Sequence, residues 1–422
     1  MSRAIQTTIW TRKAQWLLAQ GRARFGPMFT LEVAYEGTWV IVSDPELIKQ
    51  VFTGDPKVFH AGEGNDILRP LLGEHSLLTL DEAPHMSQRK LLLPPFHGKR
   101  MAGYEATMRE IAAREIESWP TGVPYKLRPR MQAMTLEIII ETVFGVHGGA
   151  RLDELREALR DFLDMLTNPR MLAPILTLGP DRLRSYPPFR RRVDRVAKLI
   201  LGEIGERRIA ADLEERDDIL SLMVAARHED GSPMSDAEIH DELLTLLVAG
   251  HETTATALAW AVERLIRHPD KLARLREEVE AGEEAYLTAT IQETLRLRPV
   301  IVIVIRRLTE AIQLGGYDLP AGVNVVPSIH LVHRDPTIYP EPDAFRPERF
   351  LETPPGTYTW IPFGGGVRRC LGAAFAQQEM AIVLRELVAR RTIRPTDPAA
   401  ERPFRRAITE TPRRNTEVVL ST

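Results

Sequence analysis

One cysteine stands in 422 residues. An internal disulfide is impossible, and nothing in the thiol content calls for an oxidising compartment. The same scarcity rules out an iron–sulfur cluster or a zinc site built on several thiolates. Charge of one sign is also missing: 55 basic and 58 acidic residues leave a net −3, which offers no footprint for nucleic acid. No apolar run reaches the ~18 residues of a membrane span, and no signal-peptide pattern opens the chain. Residues 1–26 carry Trp10, Trp16 and Leu17 among Arg and Lys, and read as a short amphipathic helix packed on the body, with peripheral membrane contact as the alternative. The length would fit two or three domains. No Gly/Ser run, low-complexity tract or charge block marks a linker, so the expectation is one compact unit over 1–422. It is expected to be a soluble, cytoplasmic monomer without a transmembrane segment.

What is present is mostly helix. Residues 28–33 and 38–42, around Glu36-Gly37, read as a β-hairpin. Ser43-Asp44-Pro45 opens a helix with a capping side chain followed by proline. A helix over about 83–93 is stopped by Pro94-Pro95. Helical patterns follow at 100–118, 131–144, 152–167, 188–210 and 217–227. The longest candidate begins at Ser235-Asp236-Ala237-Glu238, which has the capping-box form, and runs to His268. At 1.5 Å per residue it spans roughly 50 Å and must cross the core. Its centre, Ala249-Gly250-His251-Glu252-Thr253-Thr254, is odd for a buried segment, since glycine costs about 1 kcal/mol in a helix. Helices at 270–280 and 284–297 come next, then an unbroken β-branched run from Val300 to Ile305 that reads as a strand. Turns at Gly315-Gly316 and Pro320-Ala321-Gly322 separate short strands, and a last helix covers about 371–389. The fold class is mainly α, with a minor β-rich lobe from about 28–42 and 300–330.

The cysteine, Cys370, sits in Phe363-Gly364-Gly365-Gly366-Val367-Arg368-Arg369-Cys370-Leu371-Gly372. A lone cysteine is commonly a small buried hydrophobe. Three glycines before it, one after it and two arginines beside it argue otherwise. Glycine is used where backbone bends sharply or approaches a ligand closely. The pattern presents a sulfur on bare backbone to something large, flat and anionic.

Four segments in order carry a family resemblance. The Phe363-x-x-Gly366-x-Arg368-x-Cys370-x-Gly372 loop resembles the haem-ligand signature of the cytochromes P450. Glu293-Thr294-Leu295-Arg296 resembles the family's Glu-x-x-Arg pair, and Pro347-Glu348-Arg349-Phe350 the segment that precedes the cysteine loop. Ala249-Gly250-His251-Glu252-Thr253-Thr254 resembles the centre of its oxygen-binding helix. The resemblance covers nearly the whole chain. It implies the P450 fold, a single triangular unit with one long central helix.

It also implies haem b, with Cys370 as axial ligand of the iron. A thiolate ligand donates electron density that favours O–O cleavage. A glycine loop and a helix N-terminus lower a cysteine pKa. Phe363, Gly364 and Gly372 would frame the cofactor, with Gly372 letting the last helix lie close to it. His85 and Arg89 share one helix face. With Arg306 and Arg368 they match the family's contacts to the haem propionates, while Arg369 would be exposed. Glu293, Arg296 and Arg349 match its buried ion triad, a folding device. Glu252 and Thr253 match its acid–alcohol pair, which handles protons during dioxygen activation. Thr245, Val248 and Ala249 on the long helix, and Val300, Val302 and Ile303 before Arg306, match pocket-lining positions; the same side chains would also serve as ordinary core.

The function implied is a monooxygenase that inserts one atom of dioxygen into a hydrophobic molecule: a fatty acid, terpenoid or steroid. The absence of a second Gly-x-Gly-x-x-Gly unit implies electrons from a separate ferredoxin or flavodoxin, fed by an NAD(P)H reductase. Such carriers are acidic, so Arg369 and Lys99-Arg100 are candidate docking residues. Two alternatives stay open, a peroxide-driven peroxygenase or isomerase and a non-catalytic haem sensor; the Glu252-Thr253 pair speaks against the sensor. The 59–78 stretch reads as loop-like. The apolar 171–180 stretch reads as part of a substrate-access lid or as buried packing.

Overall fold

The computed structural model describes residues 1–145, 149–167 and 182–421, with Pro174, Leu178 and Gly179 between the last two spans. The proposed lid at 171–180 therefore lies outside the described residues, apart from those three. The lack of a linker predicts one domain; within the chain, backbone proximity groups residues 1–59, 108–135 and 252–422 as one unit and residues 60–107 and 136–251 as another. Three of the four crossings fall inside helices, Lys99–Ser118, Leu127–Phe144 and Asp236–Arg267. Composition carries no trace of them because no linker exists at any crossing.

The first unit holds the β structure. Met28–Val33 and Gly37–Val42 form the expected antiparallel hairpin, with Met28 opposite Val42. Gly37–Val42 then pairs in parallel with Asn324–Pro327, which pairs antiparallel with Arg306–Leu308. The N-terminal helix, Arg3–Phe25, buries Trp10, Ala14, Leu17 and Leu18 against this sheet's Phe29, Leu31 and Trp39. Asp44 caps Pro45–Thr53, its carboxylate accepting from the Glu46 and Leu47 amides at 2.9 and 3.1 Å. Gly315 and Gly316 both take left-handed φ, 59° and 81°, in the turn joining Ile312–Leu314 to Tyr317–Leu319.

The run from Val300 to Ile305 is not a strand; the strand begins at Arg306. Isolated bonds hold the extended stretch instead, Val304 N–H to the Pro327 carbonyl (3.1 Å) and His330 N–H to the Val302 carbonyl (3.1 Å). Its β-branched side chains are distributed between two cores. Val302 joins the Trp10–Trp39 cluster, while Ile301 and Val304 pack against the cluster containing Phe52 and Leu308. The C-terminal strands escape sequence patterning: Thr392–Pro395 with Glu417–Ser421 and Tyr125–Lys126, and the hairpin Pro403–Arg406 with Thr409–Pro412. They are short and rich in Arg and Pro, so no period of two emerges.

The second unit is helical. Ala150–Thr167 and Pro187–Arg208 bury Leu155, Leu159 and Phe162, and Phe189, Val193 and Ile200. Buried Arg207 meets Asp218 and the Ser221 hydroxyl and donates to the Phe144 carbonyl at 2.7 Å. The long helix, Asp236–Arg267, starts with the capping box read from sequence. Glu238 N–H donates to the Ser235 hydroxyl (3.2 Å), and Ser235 N–H donates to the Glu238 carboxylate (2.8 Å). Among the described residues, no helix is long and apolar enough to cross a membrane.

Candidate active site

The cysteine loop is a backbone structure. Gly364 N–H donates to the Ile361 carbonyl (3.0 Å), Arg369 N–H to Gly366 (3.0 Å) and Cys370 N–H to Phe363 (2.9 Å). Gly364 and Gly366 both have φ of +65°, which side chains rarely tolerate. A Cβ on Gly365 would overlap the ring of Phe52, and one on Gly366 the Phe52 carbonyl. These two glycines are thus demanded by the end of the Pro45–Thr53 helix, far away in sequence, rather than by a ligand. Gly372 has open space where its Cβ would be. Cys370 is exposed and stands just before the 18-residue helix Ala373–Arg390. Burial as a small core hydrophobe is ruled out for it. Phe363 packs edge-on against Trp360, with ring centroids 6.0 Å apart.

Behind the loop lies a closed ionic cluster. Arg296 grips Glu293 with two bonds, 2.7 and 2.8 Å, and gives its remaining N–H groups to the carbonyls of His333, Pro342 and Ala344. Arg349 adds a third contact to Glu293 at 3.2 Å, and the Arg346 amide a fourth at 2.8 Å. All three members of the triad are buried. His333 connects this cluster to the loop. Burial, reinforced by nearby Arg296, pushes its pKa down to about 3, so the ring is neutral. It accepts from Ile361 N–H at Nε2 (2.8 Å), which leaves Nδ1 to donate to the Arg296 carbonyl (3.2 Å). His333 leaves no signal in the sequence, because its partners are backbone atoms of two distant segments.

The centre of the long helix is uncovered on one stretch: Ala249 is exposed, and Gly250 and Thr253 are half-buried. Glu252 is buried. Its carboxylate is held by Arg128 and by Gln132 (2.5 Å), one turn apart on Leu127–Phe144. Arg128 also donates to the Thr256 hydroxyl at 3.3 Å and to Asn415 at 3.4 Å. Arg406, on the C-terminal hairpin, faces the same pair. Neither Arg128 nor Gln132 stands out in the sequence. Next to Thr253, buried Thr254 bonds to Glu379 of the last helix, whose carboxyl is pushed far up by burial.

Residues 5–414 match the profile of the cytochrome P450 family. The chain belongs to that family. It is 43% identical to a Mycobacterium bovis protein provisionally named cytochrome P450 135B1, covering 99% of this chain and 89% of that one. It is 40% identical to another from the same organism, provisionally named cytochrome P450 138, covering 96% and 91%. A cyanobacterial P450, CYP120A1, solved with retinoic acid bound, superposes with a TM-score of 0.86 at 26% identity, covering 99% of this chain and 96% of the other. The fold is the P450 fold, and the activity is that of a haem monooxygenase, an oxidoreductase using dioxygen, a small-molecule substrate and a redox partner.

The residues of this P450 fit a haem. The donor set provides one exposed thiol on a hydrogen-bonded loop and an uncovered stretch at the centre of the long helix. In the first unit, Arg306 is 6% exposed, lies over the Phe52 ring at 5.7 Å and donates to the Ile305 carbonyl; Arg368 is half-buried. In the second unit, Glu82–Leu92 carries buried His85 and half-buried Arg89. The remaining candidates are placed as follows. Thr245 is buried, with its hydroxyl bonded to Ser76 and the Asp241 carbonyl at 2.7 Å each. Val248 and Ile303 are half-buried, Val300 is 7% exposed, and Val302 is a core residue. Arg369 is exposed, whereas Arg100 pairs with Asp217.

Proposed function

We propose that this P450 inserts one oxygen atom of dioxygen into a hydrophobic fatty acid, terpenoid or steroid, with Cys370 as the residue that would hold the iron of haem b. It draws two electrons from a separate ferredoxin or flavodoxin served by an NAD(P)H reductase, and works as a cytoplasmic monomer. The observation that carries the reading is the exposed Cys370 on its hydrogen-bonded loop. The retinoic acid bound to the cyanobacterial relative supports an apolar, terpenoid-like substrate.

The bound haem supplies dioxygen activation at its iron. Arg306, Arg368, His85 and Arg89 would hold its carboxylates by charge and hydrogen bonds. Phe363, Gly364 and Gly372 would border it on the cysteine side. Glu293, Arg296 and Arg349 keep that side folded. The Thr253 hydroxyl accepts and donates hydrogen bonds, and Glu252 one residue earlier supplies a carboxylate for proton transfer. Arg128 and Gln132 orient that carboxylate. Val248, Ala249, Val300 and Ile303 offer an apolar lining, with Thr245 at its polar margin. Arg369 is the candidate contact for an acidic electron carrier; the ion pair of Arg100 with Asp217 leaves it less available.

The reduced, CO-treated protein should show the thiolate-type absorption band, and Cys370→Ala should abolish it. Persistence of the band in that variant would overturn the ligand assignment. Product formed with a ferredoxin system and NAD(P)H supports the monooxygenase. Product formed with peroxide alone would replace it by a peroxygenase, and haem binding without any turnover by a sensor.

A further inference from the structure

The turn leading into Glu82–Leu92 holds a cluster that the reading above does not use. His60 is 9% exposed and immediately precedes the short helix Ala61–Gly64. Its Nδ1 lies 2.9 Å from Glu63 Oε1 and 3.7 Å from Asp81 Oδ2, and its Nε2 lies 3.0 Å from Glu82 Oε1. Both ring nitrogens face carboxylates, and only the imidazolium can donate on both sides.

The start of Glu82–Leu92 is built around this ring. Asp81 occupies the N-cap position but caps nothing in its own helix. Its carboxylate instead accepts from the Gly62 and Glu63 amides, at 2.8 and 2.9 Å. A Cβ on Gly62 would overlap that carboxylate and the carbonyls of Thr79 and Leu80, so only glycine fits. Glu82, the first helical residue, has φ of +49°, left-handed for a residue with a side chain. Strain of this kind persists only where the surroundings over-determine it. Three carboxylates around one imidazole, rather than a cap, therefore set the entry of the helix that carries His85 and Arg89.

We propose that His60 is a positioning residue: gripped by Glu63, Asp81 and Glu82, it fixes the entry of Glu82–Leu92 and thereby places His85 and Arg89 for the haem carboxylates. The proposal rests on the haem-contact reading of those two residues. The charged groups facing the ring are Glu63 from the short helix and Asp81 and Glu82 from the start of the next. Burial disfavours the charged ring, but the carboxylates outweigh it and hold its pKa above the ordinary 6.5. The clamp is thus complete below that ordinary value and is lost as pH rises through the raised one.

The test is the rate of haem transfer from the ferric holoprotein to excess apomyoglobin, from about pH 6 to about pH 9, across the histidine range. The natural protein should lose haem several-fold faster at the alkaline end, through a single titration step. His60→Gln should lose it fast without that step. Glu82→Gln should move the step to lower pH, which a merely structural defect would not do. In the haem-free protein, hydrogen-exchange protection of the Glu82–Leu92 amides, corrected for intrinsic rates, should show the same step. A flat profile for the natural protein, or an unchanged step in His60→Gln, overturns the clamp. Arg89→Gln separates the two readings. If it leaves haem loss unchanged, the haem-contact assignment fails; if it speeds loss while His60→Gln does not, the clamp alone fails.

Discussion

Two buried carboxylates of the same unit, Glu293 and Glu252, are each held by arginine, and their surroundings differ. Glu293 accepts from Arg296, Arg349 and the Arg346 amide, and Arg296 spends its other donors on three backbone carbonyls. No Arg296 donor is left over for a substrate. Glu252 is held by two side chains of a single helix, and its neighbour Thr253 is half-buried. Ion pairing alone does not tell the two acids apart. Glu293 is 0% exposed in a cluster whose arginine donors end on carboxylate and backbone, whereas Glu252 is 9% exposed and sits beside a half-buried hydroxyl.

The largest effect expected from breaking that contrast is on the closed cluster. Arg296→Leu takes two of the bonds from the buried Glu293 carboxylate, leaving it only Arg349 and the Arg346 amide, orphans three carbonyls, and should cost about 3–5 kcal/mol of stability. Denaturant unfolding of the haem-free protein measures it, and an unmoved midpoint would refute the scaffold role. Arg128→Gln removes one of two holders of Glu252 and should cost about 1–3 kcal/mol, with a loss of coupling between electron use and product. A stability loss as large as that of Arg296→Leu would erase the distinction. Thr253→Ala should leave the melting temperature and haem content nearly unchanged while product per NAD(P)H falls several-fold and peroxide rises. Full coupling in this variant would remove Thr253 from proton handling.

A third buried acid sharpens the comparison. Glu410 lies across the C-terminal hairpin from Arg405. Burial, only partly opposed by Arg405, raises its pKa to about 7. The folded state then holds a proton that the unfolded chain has lost, so stability should fall as pH rises from about 4.5 to about 7. Glu410→Gln should flatten that portion of the pH–stability curve. A slope unchanged by the substitution would show that Glu410 is not the group responsible.

Local features were legible in the chain. The capping box at Ser235 and Glu238, the Asp44 cap, the first hairpin and the cysteine loop each depend on a few consecutive residues whose backbone preferences point one way. The Glu293–Arg296 bond is one helical turn, so its spacing also shows in sequence. The family resemblance rests on the cysteine loop, Glu293–Arg296, Pro347–Phe350 and the Ala249–Thr254 helix centre, and the match over residues 5–414 agrees with it.

Partner choice across the chain was decided only by the tertiary structure. The run from Val300 to Ile305 has strand composition, but a strand needs a neighbouring ladder, and its side chains were instead divided between two cores. Gly365 and Gly366 looked like room for a ligand, yet Phe52 is what excludes their side chains. Arg128 reaches Glu252 across 124 positions of sequence, and His333 joins two backbone segments that no motif links. A residue's own backbone preference is written in its neighbours. The atom that fills its hydrogen bond or blocks its Cβ comes from wherever the fold brings the chain back, so sequence by itself determined the kind of site and tertiary packing determined which residues hold it.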